Sequence, residues 1–184
     1  MIDMERYNLL VTYHPNQSRL AEQELRRVVG DIGEQIEELE HACVDGVFCA
    51  RVAGDPKELV YDLRASMQEE PDLLSHTYHW VPVERWVEAD EDTMRRTAAE
   101  LAEGIGENER WMMHLHKRHI DQHSEDLVLS LTDPIHVGKV SLTSPDKIIA
   151  VEIIGPMAGM SLLDREEIID TNKIRQQAGL VTIH

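Results

Sequence analysis

The sequence predicts an α/β protein of the α+β kind, arranged as two small domains. Three observations predict this class. Short β-rich runs alternate with amphipathic helical stretches along the whole chain. An Asp45-Gly46 turn signal sits between two of those runs. The charge balance also changes part-way along: residues 1–110 carry 11 basic and 25 acidic side chains, and residues 111–184 carry 7 and 10. A length of 184 residues suits one domain or two small ones.

Tyr7–Tyr13 is the first β-rich run, ended by His14-Pro15-Asn16. Ser18 is placed to cap a helix in which Leu20, Leu25, Val28 and Val29 recur near helical spacing up to Gly30. Residues 35–42 and 47–53 flank Asp45-Gly46 and read as a hairpin. Asp55-Pro56 has the cap-then-proline order of a helix start, with Leu59, Val60, Leu63 and Met67 as its apolar stripe. Thr77, Tyr78, Trp80, Val81 and Val83 suggest a strand within residues 75–86. The order β-α-β-β-α-β is the ferredoxin-like, split-βαβ pattern, assigned to residues 1–74 with the next domain spanning 75–184.

In the second half, Met94, Ala98, Leu101 and Ile105 line one face of a helix closed by Gly104 or Gly106. Residues 111–116 are strand-like, and Ser124 with Glu125 and Asp126 opens a further helix that Pro134 limits. Residues 140–142, 148–154 and 160–163 are three more strand segments. Residues 164–178 read as a C-terminal helical tail.

Composition narrows the function. The formal net charge of −17 opposes non-specific binding to nucleic acid. The near-neutral C-terminal part, with six of the ten histidines, is where a polyanion could dock. No apolar run reaches the length of a membrane span. Met1–Arg6 lacks a basic start and apolar stretch, and two cysteines cannot build a disulfide framework, so the expectation is a reduced, cytoplasmic protein. Walker, GxGxxG, GxSxG and CxxC patterns are all absent, so the sequence supports no enzymatic reading and no cofactor.

Two groups of residues carry chemistry. Lys117-Arg118 places adjacent long cations directly after a strand, and Arg can fork onto two phosphate oxygens. His114 and His116 share one side of that strand, with His119 and His123 just beyond. Three imidazoles can bind zinc, but no cysteine or HExxH pattern accompanies them. No metal ligand is therefore assigned. A metal- or ligand-binding protein using the His114–His123 set stands as the alternative function. Cys43 and Cys49 bracket the hairpin turn and read as packing residues. A turn pairing Val44 with Val47 would set Cys43 opposite Phe48 and Ala42 opposite Cys49.

One run of motifs has a familiar order: Trp111 through Arg118, then His123-Ser124-Glu125-Asp126 opening a helix. Val140-Ser141-Leu142, Pro145-Asp146, Ile148–Ile154 and Gly159-Met160-Ser161 follow. Residues 75–163 on these motifs resemble the THUMP domain, an RNA-binding module of tRNA-modifying proteins. Ser141 stands where that pattern has an acidic residue. The preceding half is similar to the ferredoxin-like domain that accompanies THUMP. The resemblance implies a non-catalytic tRNA-binding adaptor that serves a catalytic partner such as a cytidine acetyltransferase, with no role on DNA or membranes. It also implies phosphate contacts by Lys117 and Arg118. Lys139, Ser161 and Arg165 join the RNA-contact set because they lie near the motif strands.

Overall fold

The computed structural model of the chain describes residues 3–117 and 124–177. In chain order the elements are β1 (Leu9–Tyr13), α1 (Ser18–Ile32), β2 (Ile36–His41), β3 (Val47–Val52), α2 (Pro56–Glu69), β4 (Thr77–Pro82) and β5 (Arg85–Glu88). They continue as α3 (Glu91–Ala102), β6 (Arg110–Lys117), α4 (Ser124–Thr132), β7 (Lys139–Val140), β8 (Lys147–Ile154), β9 (Met157–Asp164), β10 (Ile169–Asp170) and α5 (Thr171–Gln177). The fold is α+β, with two five-stranded sheets. No helix among the described residues is long and apolar enough to cross a membrane.

The chain forms two units, one comprising residues up to Pro82 and from Glu166 onward, the other Val83–Arg165. The first unit has the β-α-β-β-α-β order expected, with sheet order β10-β4-β1-β3-β2. Its division falls after β4 and not after residue 74. The reason is pairing: Val11 of β1 stands opposite Trp80 of β4, and Trp80 is fully buried in the first core. Residues 164–178 are not one helix either. Ile169 and Asp170 pair with Trp80 and His79 and extend the first sheet by one short strand before α5 begins. The β-branched Ile169 is buried against that sheet, which outweighs the helical propensity of its neighbours.

Local signals account for the helix ends. Asp55 accepts the Lys57 N–H at 2.9 Å with Pro56 at the first helical position, and such a cap contributes about 1 kcal/mol. α1 closes at Gly33 in the left-handed conformation, three residues beyond the Gly30 expected. The hairpin register also differs from the expected pairing: Glu40 faces Cys49 and His41 faces Phe48, leaving Cys43 exposed and Cys49 buried.

In the second unit the sheet order is β5-β9-β8-β6-β7. β6 and β8 run parallel, while β8 and β9 form a hairpin turned at Gly155 with φ 59°. Helix α4 ends at Thr132, just before Pro134. The segment expected as strand 140–142 contributes only Lys139–Val140, held beside β6 by Ser141 N–H donating to Trp111 O at 2.9 Å. Met94, Ala98 and Leu101 of α3 and Leu131 of α4 pack with Trp111, Met113, Ile149, Val151 and Met160.

Candidate nucleic-acid interface

Strand alternation sorts the residues of β6 onto two faces. Trp111, Met113 and Leu115 belong to the core that also holds α3 and α4 residues. Lys117 has the same parity and ends the strand opposite Ile153 of β8. It lines a cavity of about 230 Å³ with Ala89, Glu91, Met94, Leu127, Ile153 and Gly155. The lining is mostly apolar, with Glu91 as its one acid. Arg118, His119 and His123 lie outside the described residues.

The other proposed RNA contacts lie elsewhere. Lys139 is exposed in β7, opposite Arg110 at the beginning of β6. Arg110 and Lys117 are the two ends of one strand, so Lys139 and Lys117 are separated by about 23 Å at 3.3 Å per residue. Arg165 directly follows Asp164, which faces Lys147 in the β8–β9 ladder, and Lys147 in turn faces Trp111. Arg165 therefore belongs with Lys139, Arg110 and Lys147 at the far end of the sheet from Lys117. Carboxylates already engage much of that end. Lys147 pairs with Asp164 and lies 3.8 Å from Glu109. Arg110 pairs with Asp146, whose carboxyl is held below its usual range by the Arg110 backbone N–H, the Arg110 side-chain hydrogen bond and the charges of Arg110 and Arg165.

Ser161 does not belong to the set. It is 1% exposed, and its hydroxyl accepts the Glu84 N–H at 2.9 Å, which ties the start of β5 to β9. Nearness to a motif strand placed it among the contacts, but its burial and its bond to the Glu84 N–H keep it from the surface.

His114 and His116 do not extend the Lys117 patch. His114 and His116 have the opposite parity on β6 and lie on the other face of the sheet. There they meet Glu152 of β8, which pairs directly with His116 in the parallel register. Glu152 Oε1 lies 3.3 Å from His116 Nδ1 and 3.7 Å from His114 Nε2. The two rings stand edge to face with centroids 4.2 Å apart. Glu152 is 3% exposed, and among the described residues Oε1 accepts no hydrogen bond. The one signal for it in the sequence is an acid in the middle of the apolar run Ile148–Ile154, which the motif match absorbed without explaining.

No protein-family model matches the sequence, and no curated protein matches it. Solved structures do share its architecture. PH1313 from Pyrococcus horikoshii Ot3 superposes with a TM-score of 0.58 and 17% identity, over 89% of this chain and 55% of that one. TrmN from Thermus thermophilus superposes with a TM-score of 0.56 and 18% identity, over 95% of this chain and 49% of that one. The chain has the fold of a part of both. It spans about half the length of either solved protein, and at these identities the likeness is one of fold.

Proposed function

We propose that the chain is a THUMP-type RNA-binding module that engages tRNA and serves a separate tRNA-modifying enzyme as an adaptor, without catalysis of its own. The observation that carries the reading is the placement of Lys117 at the end of the central parallel strand β6, over a cavity, with Arg118 next in sequence. The motif order supports it, because β6, α4, β8 and β9 follow one another as the THUMP resemblance implies. The fold held in common with TrmN supports it as well. Cytidine acetylation is the modification we assign to the partner, on the strength of the resemblance to stand-alone THUMP adaptors.

Lys117 and Arg118 supply the phosphate contacts in this reading. Lys139 is a separate exposed cation at the opposite end of the sheet, and Arg165 sits there beside Asp146. The test is tRNA binding at two salt concentrations. Lys117→Ala with Arg118→Ala should weaken binding to all tRNAs alike and lower the salt slope by up to about two. Lys139→Ala with Arg165→Ala should leave both nearly unchanged. The chain alone, incubated with tRNA and acyl or methyl donors, should leave the tRNA unmodified. Unaltered affinity in the first variant pair would remove the assigned contacts, and a modified nucleoside formed by the pure chain would end the adaptor reading.

A further inference from the structure

We propose that His114, His116 and Glu152 bind one divalent transition-metal ion, zinc first among them. The three side chains offer one ligand atom each, and these atoms all lie within 4.8 Å of one another. Zinc bonds to histidine nitrogen at about 2.0–2.1 Å and to carboxylate oxygen at about 2.0–2.2 Å, so tetrahedral ligand atoms sit about 3.4 Å apart. The separations of 3.3 and 3.7 Å from Glu152 Oε1 to the two ring nitrogens match that edge length.

The second observation is Glu152 itself. A carboxylate oxygen buried to this degree and accepting no hydrogen bond among the described residues is costly unless a positive charge faces it. Both imidazoles turn a nitrogen toward that same oxygen. Protonating both rings would set two like charges edge to face, whereas neutral imidazoles present lone pairs to a cation and leave the carboxylate to balance part of its charge. One ion satisfies all three groups at once. The donor set of two nitrogens and one oxygen suits zinc and its transition-metal neighbours, while magnesium and calcium favour oxygen ligands.

The ligands come from adjacent strands in register, so the fold builds the site without help from a loop. His114 and His116 are two residues apart on one face of β6, and His116 faces Glu152 across the ladder. A bound ion would cross-link β6 to β8 near the end where Lys117 emerges. The site is independent of the RNA-binding reading.

The experiment uses the full chain, stripped with a chelator and titrated with zinc chloride in a calorimeter. One equivalent should bind, with a rise in melting temperature of the zinc-loaded chain. His116→Ala and Glu152→Gln should each weaken zinc binding more than about 100-fold, because loss of mere supporting contacts already costs about 10–100-fold. His119→Ala with His123→Ala should change affinity less than about twofold. Magnesium or calcium in excess should not displace zinc. Circular dichroism of the metal-free variants checks their folding. Should a variant fail to fold, cobalt bound to the unaltered chain should show the visible absorption of a low-coordinate site and lose it to zinc. The proposal is overturned if the unaltered chain binds no zinc saturably, or if His116→Ala and Glu152→Gln fold and bind as before. Loss of binding in the His119, His123 variant would overturn the three-residue assignment.

Discussion

Glu24 accepts both the backbone N–H and the hydroxyl of Thr77 on its Oε2, each at 2.9 Å. The same carboxylate also receives the N–H groups of Ser75 and His76, at 2.6 Å and 3.1 Å to Oε1. Thr77 Oγ1 in turn accepts the Trp80 indole N–H at 2.9 Å. Glu24 and Thr77 are both buried, so helix α1 holds the entry of β4 through one shielded anion. Hydrogen bonds to a charged group contribute about 1.5–3 kcal/mol each, and donors left without an acceptor cost more than the bond was worth. Glu24→Ala should therefore destabilise the chain by about 3–5 kcal/mol, and Glu24→Gln by about 2. Urea unfolding of both variants measures it, and a loss below about 0.5 kcal/mol for the alanine would refute the clamp.

The two cysteines should react at different rates. Cys43 is exposed, whereas Cys49 is buried and its thiol is pushed up to about 12, chiefly by burial, with the charges of Cys43 and Glu40 adding. Thiolate is the reactive form. Alkylation of the folded chain at about pH 8 should therefore label one thiol. Denaturant should expose the second. Cys43→Ser should abolish the native labelling, as mass spectrometry can read directly.

Acid should remove a contribution from Asp170. Burial alone would raise its carboxyl. The His79 hydrogen bond and charge, and the Lys173 N–H and charge, outweigh burial and bring it to about 2. Its oxygens lie 3.4 Å from His79 Nε2 and 3.1 Å from the Asn172 N–H. A carboxyl held below its unfolded value of about 3.9 stabilises fully above that pH and loses the effect as pH falls toward 2. Asp170→Asn keeps the hydrogen-bonding shape and removes the charge. It should cost about 1 kcal/mol at pH 5, the ion pair being partly solvated, and progressively less on approach to pH 2. A difference independent of pH would rule out the charge as its source.

Gly138 should not tolerate a side chain. Its φ is +61°, and a Cβ there would lie 2.4 Å from the Glu109 carbonyl oxygen, which accepts the Lys139 N–H. Backbone strain and overlap together predict a loss of about 2 kcal/mol or more for Gly138→Ala, read from the thermal midpoint. Retention of wild-type stability would mean that β7 is held in another way.

The sequence by itself determined the elements whose signals are local. Asp55-Pro56 begins a helix, Asp45-Gly46 turns a hairpin, and Pro134 limits α4, because caps, turns and ring constraints act within a few residues. It also determined the order β-α-β-β-α-β and the alternation that puts His114 and His116 on one side of β6. Tertiary structure alone decided which strands pair, and with that everything that depends on register. Trp80 drew β4 into the first sheet, and Ile169 followed it there, so neither the boundary after residue 74 nor the single C-terminal helix could be read correctly from local propensity. Pairing buried Ser161 where its hydroxyl meets the Glu84 N–H, set Lys139 and Lys117 at opposite ends of the second sheet, and brought Glu152 against His116. Partners far apart in the chain carry no local mark of each other, since a strand residue's neighbours are chosen by hydrogen-bond register across the sheet and not by the residues beside it in sequence.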